Sequence, residues 1–147
     1  MRIAISVVAL VLLAAPPTAT PSSSDPAAVI DRELAAYNDR KMEPFLAFYS
    51  PDTELFEFPD KSIAKGKDAL RKRYEQRFNE SNLHATIVAR MVVGDKVIDR
   101  ESIVRTFPEG TGTWDVLAIS EVKGGLITRV WFIFGEKRLD PQQPAAR

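Results

Sequence analysis

The sequence contains no cysteine and only one histidine, His84, among its 147 residues. Without cysteine the protein has no disulfide bond, no thiol nucleophile and no zinc–thiolate site. A single imidazole also excludes any site that needs several histidines. Basic and acidic residues balance at 20 each, so the basic excess typical of nucleic-acid-binding proteins is missing as well. These absences exclude whole classes of function, but they select none.

The remaining composition is that of one ordinary globular domain, with 45% apolar and 27% charged residues. A domain of this length buries roughly two thirds of the surface of its unfolded chain, so stability requires neither a metal nor a disulfide. The prolines concentrate towards the two ends of the chain. We predict a signal peptide over residues 1–19, a flexible leader over 20–26, a folded domain over 27–139 and a polar tail over 140–147.

The N-terminal segment has the features of a secretory signal peptide. A basic start, Met1-Arg2, precedes an apolar run from Ile3 to Ala15, which is too short for a helix that spans a bilayer and needs about 20 residues. We therefore expect a secreted or bacterial periplasmic protein with no stable membrane insertion after cleavage; an uncleaved N-terminal anchor is the alternative. The lack of cysteine favours the bacterial envelope, because small secreted eukaryotic domains commonly depend on disulfides.

Three segments have the periodicity of amphipathic helices. The first is predicted from Asp25 and Pro26, an N-cap followed by a first-turn proline, to about Asp39. The second covers about 42–49, and the third follows Gly66 with an apolar residue at every fourth position. Charged residues on the other faces of the third helix are expected in solvent: Arg71, Lys72, Glu75 and Arg77.

Alternating residues predict one strand between the second and third helices and a four-strand antiparallel meander after the third. The clearest strands cover residues 54–58, 84–93, 113–122 and 126–134. Gly94-Asp95 suits a two-residue hairpin turn, and we predict a three-residue turn at Lys123-Gly124-Gly125. The sequence therefore predicts an α+β domain in which three helices pack on one face of a curved, mostly antiparallel sheet.

The first hairpin of the meander is predicted to have one apolar and one charged face. Strict alternation places Ala85, Met91 and Val93 on the apolar face, where Ser102 and Val104 join them from the next strand. The opposite face carries His84, Arg90, Asp99, Glu101 and Arg105. We expect this charged face on the convex side, as cross-strand pairs worth about 0.2–1 kcal/mol each or as contacts in a dimer; a proton-transfer site is the alternative.

The two tryptophans, Trp114 and Trp131, are predicted on the outer face of the last hairpin. A large exposed apolar patch on a soluble protein usually marks an interface. The last strand is apolar on both faces, which is typical of a strand covered on both sides. We therefore expect a homodimer.

Four strings of the sequence resemble one known family. They are AAYNDRKMEPFLAFYSPD, GKDALRKRYEQRF, LHATIVARMVVGDKVIDRE and EVKGGLITRVWF. Together they are similar to the SnoaL-like, steroid delta-isomerase-like branch of the nuclear transport factor two-like superfamily, over about residues 28–137. The resemblance implies a cone-shaped barrel, in which helices close a curved sheet around a pocket, and a dimer formed through the sheet. The superfamily contains isomerases, cyclases, epoxide hydrolases, dehydratases and members without catalysis.

The resemblance to the ketosteroid isomerases implies two catalytic candidates. Glu57 stands where those enzymes carry their carboxylate base, and Tyr74 stands on a tyrosine that supports their oxyanion hole. The two oxyanion donors are missing, because Glu33 and Ala118 occupy their positions. Loss of one such donor typically costs ~3–4 kcal/mol of transition-state stabilisation, so ketosteroid isomerisation by the known residues is not expected.

The arginine and aspartate residues that the epoxide hydrolases use are missing too, since Ser102, Val104 and Phe132 occupy their positions. What remains is a largely apolar cavity. Its predicted lining comprises Tyr37, Phe45, Leu55, Glu57, Leu70, Tyr74, Met91, Ser102, Val104, Val116, Ala118, Val130, Phe132 and Phe134.

Burial in such a cavity would raise the pKa of a glutamate by as much as ~3–5 units, which is how a glutamate becomes a base near neutral pH. The alternative for Glu57 is an edge position at which it pairs with Lys61 or Lys65. The alternative for Tyr74 is an ordinary core tyrosine.

Three functions follow from these observations. The first is the binding of a small hydrophobic molecule without established catalysis. The second is an isomerase- or cyclase-type enzyme in which Glu57 moves a proton and Tyr74 or Tyr37 donates to the substrate oxygen. The third is a structural homodimer without a pocket. We expect no cofactor, no nucleic-acid partner and no metal, because Asp99 and Glu101 alone make a poor cation site.

Overall fold

The computed structural model describes residues 24–141. Its helices are α1 (Pro26–Asn38), α2 (Met42–Ala47) and α3 (Gly66–Glu75), and a 3-10 turn covers Arg77–Asn79. Its strands are β1 (Tyr49–Glu57), β2 (Lys61–Lys65), β3 (His84–Val93), β4 (Lys96–Phe107), β5 (Gly110–Lys123) and β6 (Leu126–Leu139). The predicted signal peptide lies outside the described residues, as do most of the predicted leader and most of the predicted tail.

The expected fold class is confirmed, since the helices pack on one face of a curved sheet of mixed but mostly antiparallel strands. The strand order is β2-β1-β6-β5-β4-β3, with β1 parallel to β6 and every other pair antiparallel. The sheet is open, with β2 and β3 at its edges. The short strand β2 was not expected from the sequence, because its residues 61–65 are too few and too polar to show an alternating pattern.

The sequence signals at the start of α1 have the expected physical basis. The Asp25 side chain accepts a hydrogen bond from the Ala27 backbone N–H at 3.2 Å, and Pro26 occupies the first turn. This arrangement satisfies an N–H that the helix itself leaves without a partner. α2 ends at Ala47, two residues before the expected end, because Tyr49 already pairs with Ile127 as the first residue of β1.

The turn between β5 and β6 has two residues, and the predicted three-residue turn is wrong. Lys123 pairs with Leu126, so Gly124 and Gly125 alone form the turn. Their φ angles are 58° and 80°. Both lie in the left-handed region that glycine adopts without steric cost, as the tight turns of β-hairpins require.

An extra residue in β3 reverses the predicted faces of the first hairpin after Ile87 and throughout β4, whereas Ala85 keeps its predicted inward position. Ile87 pairs with Glu101 but Ala89 pairs with Arg100, so Val88 has no partner of its own. This β-bulge shifts the alternation by one position, and a shift of one residue moves every following side chain to the other face. Arg90 therefore pairs with Asp99, as expected, but on the face that packs against the helices.

The exposed fractions of the side chains confirm this reversal. Asp99 is 2% exposed, whereas Met91 is 61% exposed and lies on the outer surface. The expectation that the charged ladder lies on the convex side is therefore wrong.

The helices enclose an aromatic core. Phe45 of α2 lies with its ring centroid 4.8 Å from that of Tyr74 and 5.2 Å from that of Phe78, and Tyr37 of α1 lies 5.6 Å from Phe78. Phe45 and Leu70 are fully buried. This cluster fixes α1 and α3 above the sheet and leaves a space beside Tyr37 and Tyr74. Within residues 24–141, no helix combines the length and apolar character needed to cross a bilayer.

Candidate functional site

A small cavity lies between α1, α3 and the concave face of the sheet, and we call it the inner cavity. Its volume is about 50 Å³. The helices contribute Ile30, Glu33, Leu34, Tyr37, Arg73, Tyr74 and Arg77. The strands contribute Tyr49, Ala85, Glu101, Ile103, Arg105, Trp114, Val116, Ala118, Ser120, Val130, Phe132 and Phe134.

The structure places half of the predicted lining at this cavity. The residues that line it are Tyr37, Tyr74, Val116, Ala118, Val130, Phe132 and Phe134. Leu55, Phe45 and Leu70 are instead fully buried in the core. Ser102 and Val104 point away from the cavity, because their neighbours Glu101, Ile103 and Arg105 face it. Met91 lies on the outer surface.

Glu57, the expected base, does not line the inner cavity. It ends β1 at the surface, where its carboxylate accepts a hydrogen bond from Lys61 Nζ at 2.8 Å, and its side chain is 43% exposed. This is the surface alternative that the sequence left open. The structure therefore brings Tyr37 and Tyr74 together but leaves Glu57 apart from them.

The carboxylate on the helix side of the cavity is Glu33. It lies on the same stripe of α1 as Ile30 and Tyr37, and the Tyr49 hydroxyl donates a hydrogen bond to its Oε1 at 2.7 Å. Burial raises the pKa of Glu33 to about 7, although the hydrogen bond from Tyr49 opposes the shift. The resemblance placed Glu33 at the position of a tyrosine donor of the isomerases, but it gave no indication that this carboxyl would keep its proton near neutral pH.

A second carboxylate, Glu101, faces the same cavity from β4. Burial raises the pKa of Glu101 to about 8, with further contributions from the negative charges of Glu33 and Asp99. Two carboxyl groups that repel each other in one cavity hold protons near neutral pH, and their protons are lost as a coupled pair. The pair can therefore accept or donate a proton in the pH range where an acid–base catalyst is useful.

Behind Glu101, a buried ion pair joins the sheet to α1. Arg90 donates two hydrogen bonds to Asp99, from Nε at 2.7 Å and from Nη2 at 2.8 Å, and a third to Asp31 of α1 at 2.6 Å. The planar guanidinium matches the carboxylate in a bidentate geometry. Through Asp31, these contacts connect α1 to β3 and β4 of the sheet.

The opposite end of the inner cavity is basic. Arg73, Arg77 and Arg105 line it, and the same three residues line a larger depression outside, of about 720 Å³. We call these three residues the arginine neck and the depression the outer groove. Glu101 and Arg105 are four residues apart on β4, which corresponds to about 13 Å. The inner cavity thus runs from an acidic end, past Tyr37, to a basic mouth.

Three polar atoms at this cavity lack a hydrogen-bond partner among the described residues. They are the Tyr37 hydroxyl, Arg73 Nε and Arg77 Nε, and all three are buried. Burial raises the pKa of Tyr37 well above its usual range, so its hydroxyl keeps its proton. An unpaired buried polar group costs about 1–3 kcal/mol, and native proteins contain few of them. All three atoms can donate a hydrogen bond, so an acceptor within the cavity would satisfy them.

Trp114 also lines the cavity, so its predicted position on the outer face is wrong. It is two residues from Val116, and the alternation that turns Val116 inward turns Trp114 inward too. Its ring stacks on Phe134 at 4.6 Å, and Phe134 stacks on Phe132 at 5.7 Å. Trp131 lies outside, stacked on Phe56 at 5.8 Å.

Sequence reasoning did not identify the arginine neck or Glu101 as cavity residues. Arg77 follows Arg73 by four residues and Tyr74 by three, in the turn after α3. Residues at these spacings lie on one side of a helix, and this spacing was the signal available in the sequence. For Glu101, the signal was the run Ile87-Val88-Ala89, which is apolar on both faces and therefore does not fix the register. Among residues 24–141, no group of three or more metal-ligating side chains comes together.

Comparisons with known proteins agree with this architecture. A family model described as a SnoaL-like domain matches residues 30–130. An uncharacterized cystatin-fold protein from Novosphingobium aromaticivorans superposes with a TM-score of 0.67 at 23% identity, over 74% of this chain and 97% of that one. No curated protein sequence matches the chain.

Two further solved structures are similar. TerC, co-crystallised with polyporic acid, superposes with a TM-score of 0.64 at 19% identity, over 75% of this chain and 91% of that one. An LEH-like epoxide hydrolase of M. tuberculosis superposes with a TM-score of 0.65 at 14% identity, over 75% of this chain and 82% of that one. At these identities the likeness shows a shared fold and nothing more specific.

Proposed function

Since the chain belongs to the SnoaL-like domain family, we propose that it binds a small, largely apolar organic molecule in the inner cavity. The observation that carries this proposal is the cavity itself, which apolar and aromatic side chains wall and which holds the buried, unpartnered Tyr37 hydroxyl. Ligand sites are typically concave and apolar with a few placed polar groups. TerC, which shares the fold, was co-crystallised with a small molecule.

The size of the cavity limits how a ligand would bind. A volume of about 50 Å³ holds a few water molecules, whereas a cavity of ~150 Å³ is needed for benzene. A ligand therefore reaches into the inner cavity with one end and extends through the arginine neck into the outer groove. Side-chain rotations of Phe132 or Phe134, which are only partly buried, would widen the inner cavity further.

Native mass spectrometry of the protein purified from its own host tests this proposal. We expect a retained small molecule in the wild type and its loss in Ala118→Leu, which fills the inner cavity. Ala35→Leu is the matched control, because Ala35 is exposed on α1. The substitution adds the same atoms as Ala118→Leu, but outside the cavity. Circular dichroism checks that both variants fold. A wild-type protein without retained ligand, or equal retention in both variants, would contradict the proposal.

A second candidate function is proton transfer on a bound carbonyl compound. It is favoured by the two cavity carboxyls, Glu33 and Glu101, whose pKa values of about 7 and 8 suit a base near neutral pH. Glu101 would remove a proton next to the carbonyl, and the Tyr37 hydroxyl would donate a hydrogen bond to the oxygen. This candidate replaces Glu57 with Glu101 as the expected base.

Exchange of the α-protons of 2-tetralone for deuterium, followed by NMR, tests the second candidate. We expect the exchange rate with wild-type protein to fall at least tenfold in Glu101→Gln. Glu57→Gln is the matched control, because it makes the same change at the surface. If Glu57→Gln abolishes exchange and Glu101→Gln does not, the assignment of the base is overturned.

We also propose that the protein is exported and forms a homodimer through the outer face of the sheet. Export rests on the signal-like sequence of residues 1–19, and N-terminal sequencing of the protein from its host tests it. The dimer is supported by apolar residues on that face: Phe56 stacks on Trp131, and Ile133 is 44% exposed. Light scattering should show a dimer that Ile133→Glu converts to a monomer.

A further inference from the structure

The arginine neck contains more positive charge than its surroundings neutralise. Glu80 accepts a hydrogen bond from Arg105 Nη2 at 2.6 Å, so one carboxylate is engaged with one guanidinium. The structure gives Arg73 and Arg77 no ion pair within the described residues. Three guanidinium groups and one carboxylate leave two positive charges at the mouth of the inner cavity.

The acidic end of the cavity offsets only part of this charge at neutral pH. Glu101 is about 13 Å from Arg105 along β4, and burial favours the neutral form of both Glu33 and Glu101. The Tyr37 hydroxyl, between the two ends, is neutral as well. An anion that approaches the mouth therefore meets two uncompensated guanidinium groups and no facing carboxylate apart from Glu80, which Arg105 holds.

The geometry of the free donors is more specific than the charge. Arg73 Nε and Arg77 Nε are buried rather than spread into solvent, and the Arg77 guanidinium lies 4.9 Å above the Tyr74 ring. Stacking on an aromatic ring restrains a guanidinium and leaves its N–H groups in a fixed plane. Together with the Tyr37 hydroxyl, these N–H groups form a set of donors without an acceptor. A planar anion with two oxygens satisfies such a set.

The wall opposite α3 suits a flat apolar body. Trp114, Phe134 and Phe132 form a row of nearly parallel rings, with interplanar angles of 18° and 13° between neighbours. The row lies along the cavity face of β5 and β6. An unsaturated ring next to the arginine neck would contact these aromatic faces once a rotation of Phe132 or Phe134 has widened the inner cavity beyond its volume of about 50 Å³.

We infer that the ligand is a small carboxylic acid with a flat apolar body, whose carboxylate binds Arg73, Arg77 and Tyr37 at the mouth of the inner cavity. This inference rests on the proposed binding function and names its ligand class. The carboxylate supplies the acceptors that the three buried donors lack, and its charge offsets the excess at the neck.

Calorimetric titration with phenylacetate and phenylacetamide tests the inference. The two compounds have nearly the same shape but differ in charge. We expect wild-type protein to bind phenylacetate at least tenfold more tightly than the amide, and we expect Arg73→Met and Arg77→Met to abolish that preference. Lys72→Met is the matched control, because Lys72 is exposed on α3 and lies away from the cavity. It should keep the preference.

The conservative variant Arg77→Lys covers the case in which Arg77→Met does not fold. Lysine keeps the charge but loses the planar fork, so we expect a reduced preference for phenylacetate. Equal affinity of wild-type protein for both compounds, or an equal loss of preference in Lys72→Met, would overturn the inference.

The identity of the molecule retained from the host distinguishes a failure of this inference from a failure of the proposed function. A neutral ligand retained from the host, or tighter binding of phenylacetamide, refutes the acid assignment while the binding function stands. If neither compound binds and the host protein retains no ligand, both proposals fail.

Discussion

Tyr49 and Glu33 are joined by a hydrogen bond of 2.7 Å between the tyrosine hydroxyl and the Glu33 carboxylate, within a cavity wall made from β1 and α1. The bond connects the first strand of the sheet to the helix that covers it. It also provides the one side-chain hydrogen bond that counteracts the effect of burial on the pKa of Glu33.

Replacing Tyr49 with phenylalanine should raise the pKa of Glu33. The hydroxyl stabilises the ionised carboxylate, so without it the carboxylate ionises at a higher pH than about 7. We also expect a loss of about 1 kcal/mol in stability, the usual contribution of one hydrogen bond. NMR titration of the Glu33 side-chain carbon measures the shift. Tyr74→Phe keeps the Tyr49 hydroxyl and serves as the control; the same shift in both variants would refute a specific role for Tyr49.

The stability of the wild-type protein should fall as the pH rises from about 5 to 9. Glu33 and Glu101 have folded-state pKa values of about 7 and 8, above the unfolded value of 4.5. The folded state therefore binds more protons in this interval, and each excess proton lowers the free energy of unfolding by up to ~1.4 kcal/mol per pH unit. The contribution is fully present below pH 4.5 and is lost as the pH passes the folded-state values.

Urea denaturation at several pH values measures this slope. The double variant Glu33→Gln/Glu101→Gln should show a much flatter profile between pH 5 and 9. Glu109→Gln, which changes an exposed carboxylate, should keep the wild-type profile. A double variant with an unchanged slope would show that other groups control the pH dependence.

Acid should destabilise the protein through a different carboxylate, Glu121. Its pKa is lowered to about 2, chiefly by the hydrogen bond from Lys96, with further hydrogen bonds from Thr128 and Lys123. A depressed folded-state pKa contributes stability above the unfolded value of 4.5 and loses it as the pH falls towards 2. Glu121→Gln should therefore be less stable than wild type at pH 6 and close to it at pH 2, as thermal unfolding can show. A constant difference at both pH values would contradict this account.

Breaking the buried pair of Arg90 and Asp99 should be among the most damaging single changes. Asp99 is 2% exposed, and Arg90→Met leaves its carboxylate in the interior without a partner. Loss of one partner of a buried ion pair typically costs about 3–5 kcal/mol. The double variant Arg90→Met/Asp99→Leu removes both charges and should recover much of the stability. Denaturant titration of both proteins tests this; a double variant less stable than the single one would contradict it.

Much of the fold could be predicted from the sequence, because it depends on local signals. Asp25 and Pro26 mark the start of α1, and Gly94-Asp95 marks a hairpin turn. Each signal acts within a few residues, so no knowledge of distant partners is needed. The family resemblance then supplied the order of the layers.

The candidate site was harder to predict, because its position depends on irregularities that no local pattern reveals. Val88 looks like any other apolar residue of an alternating strand, yet the bulge at Val88 puts Arg90 on the same face as Ala85. The face that carries Asp99 and Glu101, and not the face of Ser102, therefore turns inward. Glu57 was selected by its position relative to a known enzyme, whereas in the structure its carboxylate lies at the surface beside Lys61. Charged helix faces usually lie in solvent. Here, however, Arg77, which was predicted on such a face, lines the inner cavity.

The unpaired residue Val88 links the outermost strand to the chemistry of the interior. Deletion of this one residue would remove the bulge and leave Ile87 and Ala89 paired with Glu101 and Arg100 as before. Because β4 keeps an unbroken register with β5, Asp99 and Glu101 would still face the interior. The extra residue is therefore what allows Ala85 and Arg90, which are an odd number of positions apart, to share the concave face of the sheet.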